Sequence, residues 1–301
     1  MGKRNKNLLI IFMMLLVVNV LFALIGGEKG GVSFDENKFI LSDTSAVKFV
    51  KIGNDIELKK TGADWMLNDE FGVDPYFKRL LFSILQRVKV KKPVDIDQEE
   101  GQLVQVGGEM PMTFSVWGNA TKTKTYFALE GDDQVYEVHI PGYNDYLGGI
   151  FELTPDQWRD RLLVNASWRT IQHLTLDYQD SDEIDLDIAF NDDFFHVKDV
   201  APIDSNAVVE YLNLFQYFQA NEWLSAGRFP RYDSLSKMPP LATLTIETID
   251  REMPFILDIF PKLEGERFNI GMTVGESLLV IDENRMRGIL KRREDFLLKE
   301  E

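Results

Sequence analysis

The order of elements in the first half of the chain returns in the second half, and that recurrence limits the fold more than any single motif. Val47 to Val50 and Ile56 to Lys60 read as a hairpin around Gly53-Asn54-Asp55, with Asp64-Trp65-Met66-Leu67 as a third strand. Asp74 then caps a helix that has Pro75 at its first position, where no N–H is needed. Phe77, Leu80, Leu81, Ile84, Leu85 and Val88 mark one buried helical face, and a strand from Val88 to Val94 follows. Further on, Ile171 to Tyr178 and Ile184 to Phe190 form a hairpin, and Phe194-Phe195-His196-Val197 takes the third-strand place. Asp204 caps a helix through Val208, Leu212, Phe215 and Phe218. Asp74 and Asp204 stand 130 positions apart, as do the strands Met112 to Val116 and Ala242 to Ile246. Each copy closes with a strand and an amphipathic segment: Tyr136 to Ile140 then Tyr146 to Phe151, and Leu278 to Ile281 then Met286 to Leu290. The expected fold is α+β: an N-terminal transmembrane helix followed by two tandem copies of a mixed strand–helix–strand unit. The copies cover residues 34–165 and 166–301.

The start of the chain points to a membrane. Lys3, Arg4 and Lys6 precede Leu8 to Ile25, which is interrupted only by Asn19, and Gly26, Gly27, Gly30 and Gly31 follow. An apolar run of about 18 residues or more suffices for a spanning helix, and basic residues favour leaving their end in the cytoplasm. Residues 1–25 are therefore expected to be an inner-membrane anchor with a short basic cytoplasmic tail. Residues 26–33 form a Gly-rich linker, and the body is periplasmic. A cleaved leader fits less well, because its apolar core is typically ~7–15 residues and ends at small residues.

Composition excludes several functions. The chain has 33 Lys plus Arg against 49 Asp plus Glu, a formal charge of −16, so it lacks the basic footprint that nucleic acid requires. It has no cysteine, hence no disulfide staple, no thiolate metal site and no cysteine nucleophile. There is no Gly-x-Ser-x-Gly elbow, phosphate loop or His-Glu-x-x-His, so no catalytic residue, metal or cofactor is assigned. The acidic runs Glu130, Asp132, Asp133 and Asp180, Asp182, Glu183 lack the calcium-loop pattern and read as turns.

One cluster stands apart. Trp158-Arg159-Asp160-Arg161 follows Thr154-Pro155-Asp156, and Ile140-Pro141-Gly142-Tyr143 lies shortly before it. Two arginines around one aspartate can form a charge-assisted network, and an arginine fork suits a carboxylate or phosphate. The partner- or ligand-binding candidates are Trp158, Arg159, Asp160, Arg161, Pro141, Gly142 and Tyr143. The aromatics Tyr211, Phe215, Tyr217, Phe218 and Trp223 are either core or a ligand-binding wall between the copies.

The basic N-terminus, the apolar segment, the Asp64-Trp65 strand, Ile140-Pro141-Gly142-Tyr143 and Trp158-Arg159-Asp160-Arg161 together resemble a bacterial family known as domain of unknown function 4340. The resemblance covers most of the first copy and, more weakly, the second, where Lys291-Arg292-Arg293-Glu294-Asp295 has no Trp. It implies an accessory role beside auxiliary proteins of gliding-motility-type ABC transporters, with an inner-membrane partner and no established reaction. The expected function is a non-enzymatic interaction module. The alternatives are small-ligand or glycan binding between the copies, or a carboxylate-based hydrolase.

Overall fold

A computed structural model describes residues 13–17, 34–96, 101–180, 184–275 and 277–299. In the first half, strands β1 (Val47–Ile52), β2 (Ile56–Thr61), β3 (Asp64–Leu67) and β4 (Phe71–Gly72) precede helix α1 (Pro75–Arg87). Strands β5 (Lys89–Val94), β6 (Gln102–Gly108), β7 (Met112–Gly118), β8 (Thr125–Leu129) and β9 (Val135–His139) follow it. They form one antiparallel sheet in the order β4-β3-β2-β1-β6-β7-β8-β9-β5. A short helix, α2 (Pro155–Trp158), and strand β10 (Leu162–Val164) lead into the second half.

That half has strands β11 (Ile171–Tyr178), β12 (Leu186–Asn191) and β13 (Phe194–Val197), then helix α3 (Ser205–Asn213). Strands β14 (Phe218–Gln219), β15 (Glu222–Leu224), β16 (Ala242–Thr248), β17 (Phe255–Ile259), β18 (Phe268–Thr273) and β19 (Ser277–Asp282) complete it. Its sheet runs β13-β12-β11-β16-β17-β18-β19-β15, while β10 pairs with β14. In each half, buried residues of the helix and of the sheet belong to one cluster, so each half has its own large apolar core.

The two sheets match in order and in register. Leu67, Leu58, Val50 and Val106 face one another across β3, β2, β1 and β6. Val197, Ile188, Leu174 and Ile246 do the same across β13, β12, β11 and β16. All eight are buried. The pairing register shifts between Val47 and Phe49 in β1 and between Ile171 and His173 in β11, so both copies carry the same bulge. The helix caps correspond as well: the Asp74 carboxylate accepts from the N–H groups of Tyr76 and Phe77, and that of Asp204 from those of Asn206 and Ala207.

Three expectations need correction. First, the body is predominantly antiparallel β rather than a balanced α+β unit. The longest helix of each copy, of 13 or 9 residues, cannot cover a sheet of nine or eight strands as an equal layer. Second, no helix among the described residues is long and apolar enough to cross a membrane. Of Leu8 to Ile25, only Met13 to Val17 is described, as an exposed helical stretch. The single-pass inner-membrane placement, with cytoplasmic tail and periplasmic body, is therefore withdrawn. The linker over residues 26–33 lies outside the described residues.

Third, the 130-position match between Met112 to Val116 and Ala242 to Ile246 pairs the wrong strands. Sheet order gives β16 the place of β6, and β17 that of β7. The spacing of 130 holds from β2 through β5, where Val90 N–H donates to Glu36 O and Ala220 N–H to Arg161 O. It fails beyond that because the second copy inserts the segment with helix Pro230–Leu235 before β16. The second helix also ends earlier than expected, at Asn213, and Phe218 sits in β14.

Candidate functional site: the cleft between the repeats

Trp158-Arg159-Asp160-Arg161 runs beside the segment that enters α1. Thr154 opens α2, its N–H donating to Gln157 Oε1 at 2.9 Å. The Asp74 N–H donates to Trp158 O at 2.8 Å and the Asp160 N–H to Gly72 O at 2.7 Å, so the box is an extra strand-like strip on the first repeat. An extended strip sends successive side chains to opposite sides. Trp158 is fully buried in the first core, edge-on to Phe77. Arg159 points outward, and Arg161 Nε donates to Asp74 Oδ2 at 3.2 Å.

The expected network of two arginines around Asp160 does not form. Asp160 Oδ1 accepts from the Leu162 N–H at 3.0 Å, and its carbonyl accepts from Trp223 Nε1 at 2.9 Å. The box therefore joins the repeats. Asp156 extends the seam: its carboxylate accepts from the Ser225 N–H at 3.0 Å and the Ser225 hydroxyl at 2.8 Å, with Arg228 at 3.5 Å.

Arg159 occupies the centre of this seam. Its guanidinium carbon lies 3.8 Å from the ring centre of Phe71 in the first repeat and 3.5 Å from that of Trp223 in the second. Nη1 donates to Ser277 Oγ at 3.2 Å. Among the described residues no carboxylate lies within 4.0 Å of it. Burial pushes the guanidinium pKa down to about 10, with Asp156 and Glu70 opposing, so it remains a cation at neutral pH.

Beside it opens a cleft of about 510 Å³, walled by Phe71, Arg159, Trp223, Arg251, Met253 and Val274. Met253 and Val274 are 76% and 73% exposed, which leaves an apolar rim around a cationic wall.

Pro141, Gly142 and Tyr143 lie elsewhere. They form an exposed turn after β9, closed by the Tyr143 N–H to Ile140 O at 2.9 Å, with Gly142 at φ +79° where a side chain would be strained. Tyr143 faces a small groove against Leu80, Ile84 and Tyr146 on the first repeat. Of the five aromatics named from the sequence, Tyr211, Phe215, Phe218 and Trp223 are buried and Tyr217 is exposed, and among the buried four Trp223 lines the cleft. Phe71, Asp156 and Ser277 carry the seam without standing out in sequence, because their partners, Arg159 for Phe71 and Ser277 and Ser225 for Asp156, lie far along the chain. Among the described residues no group of three or more Asp, Glu or His side chains is placed to hold a metal ion.

No family model, no curated protein and no solved structure matches this chain. The family resemblance rests on the residues quoted for it.

The second repeat has its own version of the box. The Asp204 N–H donates to Phe296 O at 2.8 Å, as Asp74 does to Trp158, and Ile203 bridges Leu297 as Val73 bridges Arg159. Phe296 therefore takes the place of Trp158, and Leu297 that of Arg159. The strip tolerates an apolar residue at the Arg159 position, so the repeat fold does not call for a cation there.

Proposed function

We propose that the chain is a non-enzymatic interaction module in which two fused repeats present the cleft at their seam to a segment of a partner protein. One observation carries this reading. Arg159 is half-buried between two aromatic rings and lines an open cleft, yet among the described residues its five N–H groups find one hydrogen-bond partner, the Ser277 hydroxyl. None of its nitrogen atoms is among the buried unpaired polar atoms, so the remaining N–H groups are open to solvent and to an acceptor brought by a ligand.

The glycan alternative is less well supported. Sugars stack on open ring faces, whereas Trp223 is 4% exposed and already carries the guanidinium on its face. For the hydrolase alternative, two free acids are needed across the cleft. Of the two acids lining it, Asp160 is engaged by the Leu162 N–H.

The test is photo-cross-linking in the native host from a benzophenone side chain placed at Met253, on the cleft, or at the exposed Phe190, on β12 of the second sheet. A discrete adduct from position 253 and none from 190 is expected. Equal adducts from both, or none from 253, would refute the reading. The family resemblance would make the partner a component of an ABC-type transporter, and mass spectrometry of the adduct decides that.

A further inference from the structure

We infer that the cleft selects a carboxylate: Arg159 receives an Asp or Glu side chain from an extended, otherwise apolar segment of the partner. This deepens the docking reading above and rests on it.

The chemistry of the wall supports the choice. A guanidinium presents its N–H groups in a planar fork that matches a carboxylate with two parallel hydrogen bonds. Stacking between Phe71 and Trp223 fixes the plane of that fork, and the Ser277 hydroxyl fixes its rotation. The ordering cost is therefore already met before a ligand arrives. Half-burial weakens competition from water, so an ion pair formed here is stronger than one on an open surface.

The neighbours define the rest of the segment. Arg251 adds a second cation to the wall, while Met253, Val274 and the 38%-exposed Leu162 supply apolar contacts beside it. Glu70 and Asp160 line the same cleft and balance its two cations, so the attraction for an anion is confined to the fork of Arg159, which has no carboxylate within 4.0 Å among the described residues. That balance suits a single negative charge better than a phosphate, which carries ≈ −1.5 to −2 at neutral pH and typically recruits a cluster of arginines. Specificity would be local, since the chain as a whole is strongly acidic. Only a partner segment with one acid framed by apolar residues gains more at Arg159 than it loses to the surrounding field.

The experiment is binding of the full chain to an array of short synthetic peptides with randomised apolar flanks. The central residue is Asp, Glu, Asn, Gln or phosphoserine. The expected result is a preference of about tenfold or more for Asp or Glu over Asn or Gln, abolished in Arg159→Gln and weakened in Arg159→Lys. Glu70→Gln, which removes the competing charge without touching the fork, should tighten binding of the acidic peptides. Thermal melts of each variant confirm that the fold is kept.

Equal binding of acidic and amide peptides, or a preference for phosphoserine, would overturn the carboxylate assignment while a cross-link from Met253 would keep the docking reading. Absence of both peptide binding and that cross-link would overturn the two together.

Discussion

Replacing Trp158 with alanine lowers the stability of the first repeat by about 3–5 kcal/mol, the range for removing a fully buried large aromatic side chain. Trp158 is 0% exposed and packs edge-on against Phe77 of α1, and its carbonyl accepts the N–H of the helix-capping Asp74. Truncation would leave a cavity at the point where the box, the helix start and the sheet meet. Phenylalanine should behave very differently. The indole Nε1 of Trp158 is buried without a hydrogen-bond partner among the described residues, an arrangement that costs stability. Phe296 fills the equivalent place in the second repeat. Trp158→Phe is therefore expected to cost only about 1–2 kcal/mol, with loss of packing volume partly offset by removal of the unpaired N–H. Urea denaturation of the two variants measures the difference. Equal losses would mean that the two boxes are not equivalent.

The second large effect is at Asp74. Its Oδ1 accepts from the Tyr76 N–H at 2.8 Å and the Phe77 N–H at 3.2 Å, while Oδ2 accepts from Arg161. Asp204 makes the same two cap bonds, at 3.0 and 3.1 Å to Asn206 and Ala207, with no arginine on it among the described residues. Loss of an N-cap alone costs typically ~1 kcal/mol, which is the expectation for Asp204→Ala. Asp74→Ala should cost about 2–3 kcal/mol, because it also removes a hydrogen bond to a charged donor. The Arg161 side chain is 38% exposed and can rehydrate, so the excess stays well below that of a fully buried pair. A double-mutant cycle with Arg161→Ala isolates the pairwise part. A zero coupling energy, or equal losses at Asp74 and Asp204, would contradict this account of the box.

The helix starts were legible because capping is local: an Asp two and three residues before the amides it satisfies is visible in any window. Strand positions were legible from alternation, as in Val47 to Ile52, where the inward residues Val47, Val50 and Ile52 are buried. The assignment of strands between repeats was not legible. Met112 and Ala242 share a spacing with the helix caps, but hydrogen-bonding order decides equivalence, and an insertion before β16 breaks the spacing. Leu8 to Ile25 shows a different limit. Its apolar run pointed to a span, whereas no helix among the described residues is long and apolar enough to cross a membrane.

The candidate site was half legible. The Trp158 to Arg161 strip was visible as an unusual cluster, but the side chains of Trp158, Arg159 and Arg161 and the carbonyl of Asp160 make contacts distant in sequence. Arg161 meets Asp74, Asp160 meets Trp223 through its carbonyl, and Arg159 meets Phe71, Trp223 and Ser277. Pairing within the cluster was the natural reading of Arg-Asp-Arg. It fails because extended backbone sends Arg159 and its neighbours to opposite sides.

The central claim is that Arg159 serves a ligand and not the fold, and Arg159→Leu tests it most directly by placing at the seam the residue that the second repeat carries at the equivalent position. Leucine keeps apolar contact with Phe71 and Trp223 and removes the cost of burying a charge, so the melting temperature should stay within about 4 °C of the parent, equivalent to about 1 kcal/mol. The cross-link from Met253 should vanish in the same protein. A fall in melting temperature as large as that of Trp158→Ala, or a cross-link that survives, would show that Arg159 holds the repeats together and does not receive a partner.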